Sequence, residues 1–159
     1  MAIKLQFVCE AALTSQMIAW FGAGQFSHVD AVLRDGSLIG ARYDSCGGQP
    51  PGVRIRPQGY HKFARRTVMD VPASLAKTKA FYDFMLSQEG KPYDSEAIWG
   101  FITGRDWRED DSWICSEVVS AAGEASVLPR LFSPVWKITP GACALAFSAV
   151  GGKATECTP

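Results

Sequence analysis

The sequence predicts a single α+β domain. Three observations lead there. Short segments in the first half follow the two-residue period of strands. Apolar residues after position 72 recur at helical spacing. Neither an internal repeat nor a linker divides the two. The domain is expected to span residues 1–150, with 151–159 as a flexible, small and polar C-terminal tail.

In chain order, Ile3–Val8 reads as a first strand. Leu13–Phe21 reads as a short helix, with Leu13, Met17, Ile18 and Phe21 on one side, capped by Thr14 or Ser15 and ended by Gly22 and Gly24. Ser27–Leu33 alternates as a strand, placing His28, Asp30 and Val32 on one face and Val29, Ala31 and Leu33 on the other. The tight-turn signal Arg34-Asp35-Gly36-Ser37 returns the chain as an antiparallel partner, Leu38–Tyr43. A Gly- and Pro-rich loop covers 44–52, and Val53–Arg56 and Arg66–Val71 read as further strands. The clearest helix is Ser74–Gln88, with the apolar stripe Ala76, Ala80, Phe81, Phe84 and Met85, stopped by Gly90. The turn Gly90-Lys91-Pro92-Tyr93-Asp94 precedes a short apolar helix, Glu96–Ile102, and a polar loop, 103–111. A helix is expected from about Ser112 to Ala125 with Asp111 or Ser112 as N-cap. Beyond it, Pro129, Pro134 and Pro140 are expected to break regular structure.

Sixteen basic and sixteen acidic side chains cancel, so no global field recruits nucleic acid or an anionic membrane. The local cluster Lys62, Arg65 and Arg66 reads as solvated surface. The N-terminus lacks the features of a signal peptide, and no apolar run reaches the roughly 18 residues that span a bilayer. A cytoplasmic location without a membrane span is therefore expected, unless other means export the chain. Five cysteines without paired spacing argue against a disulfide framework and a structural zinc site, and no metal or organic cofactor is expected.

Cys115 stands at the start of a predicted helix, where unpaired N–H groups and the helix dipole favour a thiolate and can donate to an oxyanion. Its alternative is to pack as a small hydrophobe, a stronger reading for Cys9 and Cys143. Cys46, in a Gly-rich loop, lacks a helix N-terminus. His28 is the candidate base, with Asp30 two residues on to orient its ring; otherwise both belong to the wet face of an amphipathic strand. His61 reads as surface. Tyr93, held by a rigid turn, either lines the pocket near the sulfur or packs at the core edge. Ser116 and Trp113, beside Cys115, join Tyr93 as candidates for oxyanion or substrate contact, and Glu117 complements the helix dipole. Gly47-Gly48 lacks the lysine-bearing pattern of a phosphate loop.

Taken together, Phe26-Ser27-His28-Val29-Asp30, Leu38-Ile39-Gly40-Ala41, Gly90-Lys91-Pro92-Tyr93-Asp94 and Trp113-Ile114-Cys115-Ser116-Glu117-Val118-Val119 resemble the permuted NlpC/P60 superfamily. These are papain-like proteins of the YiiX and YaeF type, more distantly related to the lecithin retinol acyltransferase-like group. The resemblance covers roughly residues 20–125 and extends to small proteins of bacteria and their phages. It implies a circularly permuted papain-like fold, an antiparallel sheet packed against a helix that carries the nucleophile, here Cys115. It also implies that His28 is the base and that the turn sets Tyr93 near the sulfur. One departure stands out. The family often places its third polar residue on the strand after the His strand, near Gly40, and glycine cannot orient an imidazole. Asp30 or a backbone carbonyl then takes that role, or the site is weakened or dead.

The expected function is a cysteine hydrolase acting on an amide, such as a cell-wall type peptide. One alternative is acyl ester or thioester chemistry on a lipid, as hydrolase or acyltransferase, in a cleft lined by Trp99, Phe101 and Trp113. Another is a catalytically inert papain-like module that binds a peptide or a phage or cell-wall partner. The sequence leaves the oligomeric state open.

Overall fold

The computed structural model describes residues 1–10, 26–95, 112–129 and 138–157. Among them are six strands, β1 (Ala2–Cys9), β2 (His28–Val32), β3 (Leu38–Arg42), β4 (Gly52–Arg56), β5 (Arg65–Pro72) and β6 (Lys153–Cys157), and three helices, α1 (Leu75–Ser87), α2 (Cys115–Glu124) and α3 (Pro140–Ala149). The strands form one antiparallel sheet in the order β4-β3-β2-β1-β5-β6. The α+β class expected from the sequence is present.

Alternation along the strands builds the core. Ile3, Leu5 and Phe7 of β1, Val29 and Ala31 of β2, Ile39 and Ala41 of β3, and Met69 and Val71 of β5 cluster with Phe81 and Met85 of α1 and Val118, Val119 and Ala122 of α2. Burying each of these larger side chains contributes about 1.5–3 kcal/mol of transfer free energy. The β2–β3 turn obeys its sequence signal: Asp35 Oδ1 accepts from the Ser37 N–H at 2.9 Å, and Gly36 takes a φ of 87°. Helix α1 begins as expected, with Ser74 Oγ accepting from the Lys77 N–H at 3.3 Å. Its buried stripe is narrower than the pattern suggests: Phe81 and Met85 are buried while Ala76 is exposed.

Three expectations need correction. The helix expected from Ser112 begins only at Cys115, with Ile114 as N-cap. The reason is a backbone clamp: the Trp113 N–H donates to Pro92 O at 3.1 Å and the Asp94 N–H donates to Trp113 O at 3.1 Å, which holds 112–114 extended. Pro140 opens a helix instead of breaking one. It occupies the first turn of α3, where its missing N–H is not needed, and Thr139 Oγ1 caps the end by accepting from the Ala142 N–H at 3.1 Å. Residues 151–157 are not a frayed tail. Gly151 and Gly152 turn the chain after α3, and β6 pairs with β5 from Arg66↔Cys157 to Asp70↔Lys153. Four of the five β6 residues are exposed, so this edge strand has no apolar face to show as alternation. The helices expected at 13–21 and 96–102, the loop at 103–111 and the Asp111 cap lie outside the described residues. No helix among those described is long and apolar enough to cross a membrane.

Candidate active site

The polar face of β2 is buried rather than wet. His28 is 6% exposed and Asp30 1%. Residues i and i+2 of a strand share a face, and here the Asp30 side chain turns back along it, so that Oδ1 lies 2.9 Å from His28 Nε2. That contact occupies one ring nitrogen and leaves Nδ1 for another partner. The Cys115 side chain lies near enough for its charge to act on the imidazole. Burial alone would lower the His28 pKa. The Asp30 carboxylate and the Cys115 sulfur outweigh it, and His28 is pushed up to about 10. Asp30 is likewise held below its ordinary value, because His28, Tyr60 and Arg42 together outweigh the cost of burying its charge.

The stability consequence has a definite sign. A raised imidazole pKa stabilises the folded chain fully below the ordinary value near 6.5, and that contribution is lost as pH rises through about 10. The depressed Asp30 carboxyl contributes above its ordinary value of 3.8, and that is lost as pH falls. Urea midpoints measured from pH 3 to pH 11 are expected to fall on both sides of this window. In His28→Ala the alkaline decline through pH 10 should be reduced.

Cys115 takes the first helical position of α2 because the Trp113 clamp delays the helix. Its own N–H is among those a helix leaves without an intrahelical partner. Glu117 Oε2 accepts from the Ile114 N–H at 3.4 Å, so this carboxylate braces the entry to the helix in addition to complementing its dipole. Cys115 keeps 7% exposure, whereas Cys143 on α3 is fully buried and pushed up to about 12, mainly by burial. Cys46 is also pushed up by burial.

Gly40 has a spatial meaning that the sequence does not disclose. A Cβ built at Gly40 would overlap Asp30 Oδ1 and lie 3.2 Å from Asp30 Cγ and 3.3 Å from Val29 O. The Asp30 carboxylate thus fills the space that a β3 side chain would take. The orienting group comes from β2, and the glycine on β3 makes room for it.

Sequence reasoning missed the residues behind Asp30. Tyr60, in the β4–β5 connection, donates from its hydroxyl to Asp30 Oδ2 at 2.8 Å, and the same oxygen lies 3.2 Å from His28 Nε2. Arg42, 2% exposed, pairs with Glu10 and with Asp44 Oδ1 (2.7 Å) and reaches the Tyr60 hydroxyl at 3.4 Å. Arg56, 1% exposed, donates to Gly40 O at 3.1 Å and Pro50 O at 3.2 Å, fastening the β3–β4 loop. One signal could have found Arg42: strand period places it on the face of Gly40, two residues on. Tyr60 carries no such signal, because it sits in an irregular connection.

The other candidates separate. Tyr93 is brought beside Cys115, and burial first, then the sulfur's charge, pushes its phenol well above the ordinary value, so it stays a donor. Its turn is docked on β4: the Val53 N–H donates to Lys91 O at 2.9 Å and the Gly90 N–H donates to Val53 O at 2.9 Å. Gly52 is required there, because a Cβ would overlap Lys91 O. Tyr43, 45% exposed, meets the Tyr93 ring edge-on at 6.2 Å. The Trp113 ring packs toward α1, edge-on to Phe84 at 6.2 Å, with its Nε1–H donated to Gln88 Oε1 at 3.0 Å. Ser116 is 1% exposed, and its buried Oγ has no hydrogen-bond partner among the described residues, a placement that keeps it from solvent. His61 is exposed, as expected. Trp99 and Phe101 lie outside the described residues.

The fold and site thus describe an α+β protein in which a strand histidine, backed by a carboxylate, meets a cysteine at a helix N-terminus. No family model matches the chain. No curated protein matches it in sequence. Among solved structures it is similar to the metalloprotein yiiX from Escherichia coli O157:H7, of DUF1105, with 17% identity, a TM-score of 0.60, and coverage of 99% of this chain and 96% of that chain. At that identity the likeness shows a shared fold. Among the described residues, no group of three or more His, Cys, Asp or Glu side chains is placed to hold a metal ion.

Proposed function

We propose that this chain is a papain-like cysteine hydrolase of the permuted NlpC/P60 type, cleaving an amide such as that of a cell-wall peptide. The observation that supports the reading is the buried His28, hydrogen-bonded to Asp30, with Cys115 at the tip of α2 near enough for its charge to act on the imidazole. The yiiX likeness supports the fold, and in this chain the strand that carries His28 precedes the helix that carries Cys115.

In this reading His28 holds the proton and Cys115 the negative charge. The thiolate attacks the carbonyl carbon, and the Cys115 N–H and Tyr93 hydroxyl donate to the oxyanion. His28 then protonates the leaving amine, giving a thioester. A water molecule, deprotonated by His28, hydrolyses it and restores the thiolate. Asp30 keeps Nε2 engaged, which leaves Nδ1 as the ring nitrogen available for proton exchange with the sulfur in this reading. The overlap of a Gly40 Cβ with the Asp30 carboxylate favours this reading over an inert module, since a carboxylate from another strand reaches His28.

The test is turnover on a panel of peptide amides and short acyl esters, comparing the native chain with Cys115→Ala and His28→Ala. Each variant is expected to lose on the order of 10³-fold or more in kcat on whichever substrate is cleaved. Retained turnover in Cys115→Ala would remove the reading. In parallel, iodoacetamide at pH 6 is expected to label Cys115 well ahead of Cys46, and equal labelling would argue for the inert module.

A further inference from the structure

Asp30 carries the contact to His28, yet a buried carboxylate has two oxygens and both need donors. His28 serves Oδ1 and Tyr60 serves Oδ2. We propose that Tyr60 is a positioning residue that fixes the Asp30 carboxylate, and through it the His28 ring, in one orientation with Nε2 held toward Asp30. This rests on the reading of the Cys115–His28 pair given above.

The Tyr60 ring is held from several sides. The guanidinium carbons of Arg42 and Arg56 lie 5.4 and 5.8 Å from its centroid, and Phe63 packs edge-on at 5.6 Å. Gly47, with a φ of 58°, lets the β3–β4 loop approach so closely that a Cβ there would lie 2.8 Å from Tyr60 Cβ. A ring fixed in this way delivers its hydroxyl to one place. Arg42, itself fastened to Glu10 and Asp44, adds a hydrogen bond to the same hydroxyl at 3.4 Å. With Arg42 donating into it, the hydroxyl directs its own proton to Asp30 Oδ2. Its burial and the nearby Asp30 charge keep the phenol protonated throughout the working range.

Every group facing Asp30 bears on its titration. His28 faces it from β2, Arg42 from β3, Tyr60 from the β4–β5 connection and the neutral Gln6 from the paired position on β1. Of these four, Tyr60 is the one that donates a hydrogen bond to Oδ2. Removing that hydroxyl leaves a charged oxygen short of a donor, which disfavours the ionised carboxylate. The acid-side transition should therefore move to higher pH.

The test compares the full chain with Tyr60→Phe, which keeps the ring between the two arginines. The His28 ring is followed by ¹⁵N NMR across pH, and turnover or Cys115 alkylation is followed alongside. Thermal midpoints are expected within a few degrees of each other. In Tyr60→Phe, exchange of the His28 Nε2–H should be about tenfold faster, and the acid-side transition should rise by about one pH unit, the shift expected for one hydrogen bond to a charged group. Native-like His28 exchange and an unmoved acid transition would overturn the proposal, whatever the turnover. Altered His28 exchange together with full turnover in Cys115→Ala would keep the Tyr60 coupling and sink the cysteine-hydrolase reading instead.

Discussion

Asp30→Ala is expected to cost roughly 3–5 kcal/mol of stability, the range seen when one partner of a buried charged pair is removed. Asp30 is 1% exposed and receives hydrogen bonds from His28 and Tyr60, with the Arg42 charge nearby. Without it, burial acts on His28 with the Asp30 charge and hydrogen bond gone and Cys115 left to oppose it, so the imidazole pKa falls from about 10. On the proposed hydrolase reading, Cys115 alkylation at pH 6 should slow in step, because the positive charge on the imidazole near the sulfur is lost. Urea unfolding and alkylation rates measured on the same variant check both halves. Asp30→Asn separates them: it keeps the shape and the hydrogen bond to the ring, and should cost less stability while still releasing the proton from His28. An Asp30→Ala chain as stable as the native one, with His28 still charged at pH 8, would contradict the assignment of Asp30.

Gly40→Ala is the second large effect. The backbone at Gly40 does not demand glycine, since its φ lies outside the left-handed region. The demand is for space, because the new methyl would overlap Asp30 Oδ1. Either β3 shifts, at an overpacking cost of about 1–3 kcal/mol, or the carboxylate swings off His28. In both cases the His28 contact loosens, so alkylation at pH 6 should drop with the stability. The effect should depend on Asp30. In the Asp30→Ala background the methyl meets little, and the two substitutions together should cost less than their sum by about 0.5–3 kcal/mol. Additive losses would mean that Gly40 is needed for some reason other than room for the carboxylate.

Much of this architecture is legible in local pattern. Five strands and helix α1 arise from alternation, turn residues and a serine cap, each of which acts over a few residues. Three elements were not legible, for different reasons. The late start of α2 depends on a clamp between Trp113 and the Pro92–Asp94 backbone, partners some twenty positions apart in sequence. Helix α3 is apolar on several sides and opens with proline, so its spacing resembles an irregular tail. Strand β6 exposes both faces and owes its form to the open edge of β5.

The site divides in the same way. His28 with Asp30, and Cys115 at a helix start, could be read from strand period and helix position. The inner support could not. Gly40 looks like a missing group until the Asp30 carboxylate is seen in its place. Tyr60 reaches Asp30 from an irregular connection thirty residues away, and no period predicts such a contact. Ser116 shows the converse: proximity in sequence to Cys115 placed it among the candidates, but the helix turns its hydroxyl into the protein.

The proton on the His28 ring is the most direct reporter of the whole arrangement, and ¹⁵N NMR of the imidazole reads it without knowledge of any substrate. A ring that stays charged past pH 9 and loses its proton near 10 is the predicted result. A ring that titrates near the ordinary value of 6.5, and does so unchanged in Cys115→Ala, would show that neither Asp30 nor Cys115 acts on it.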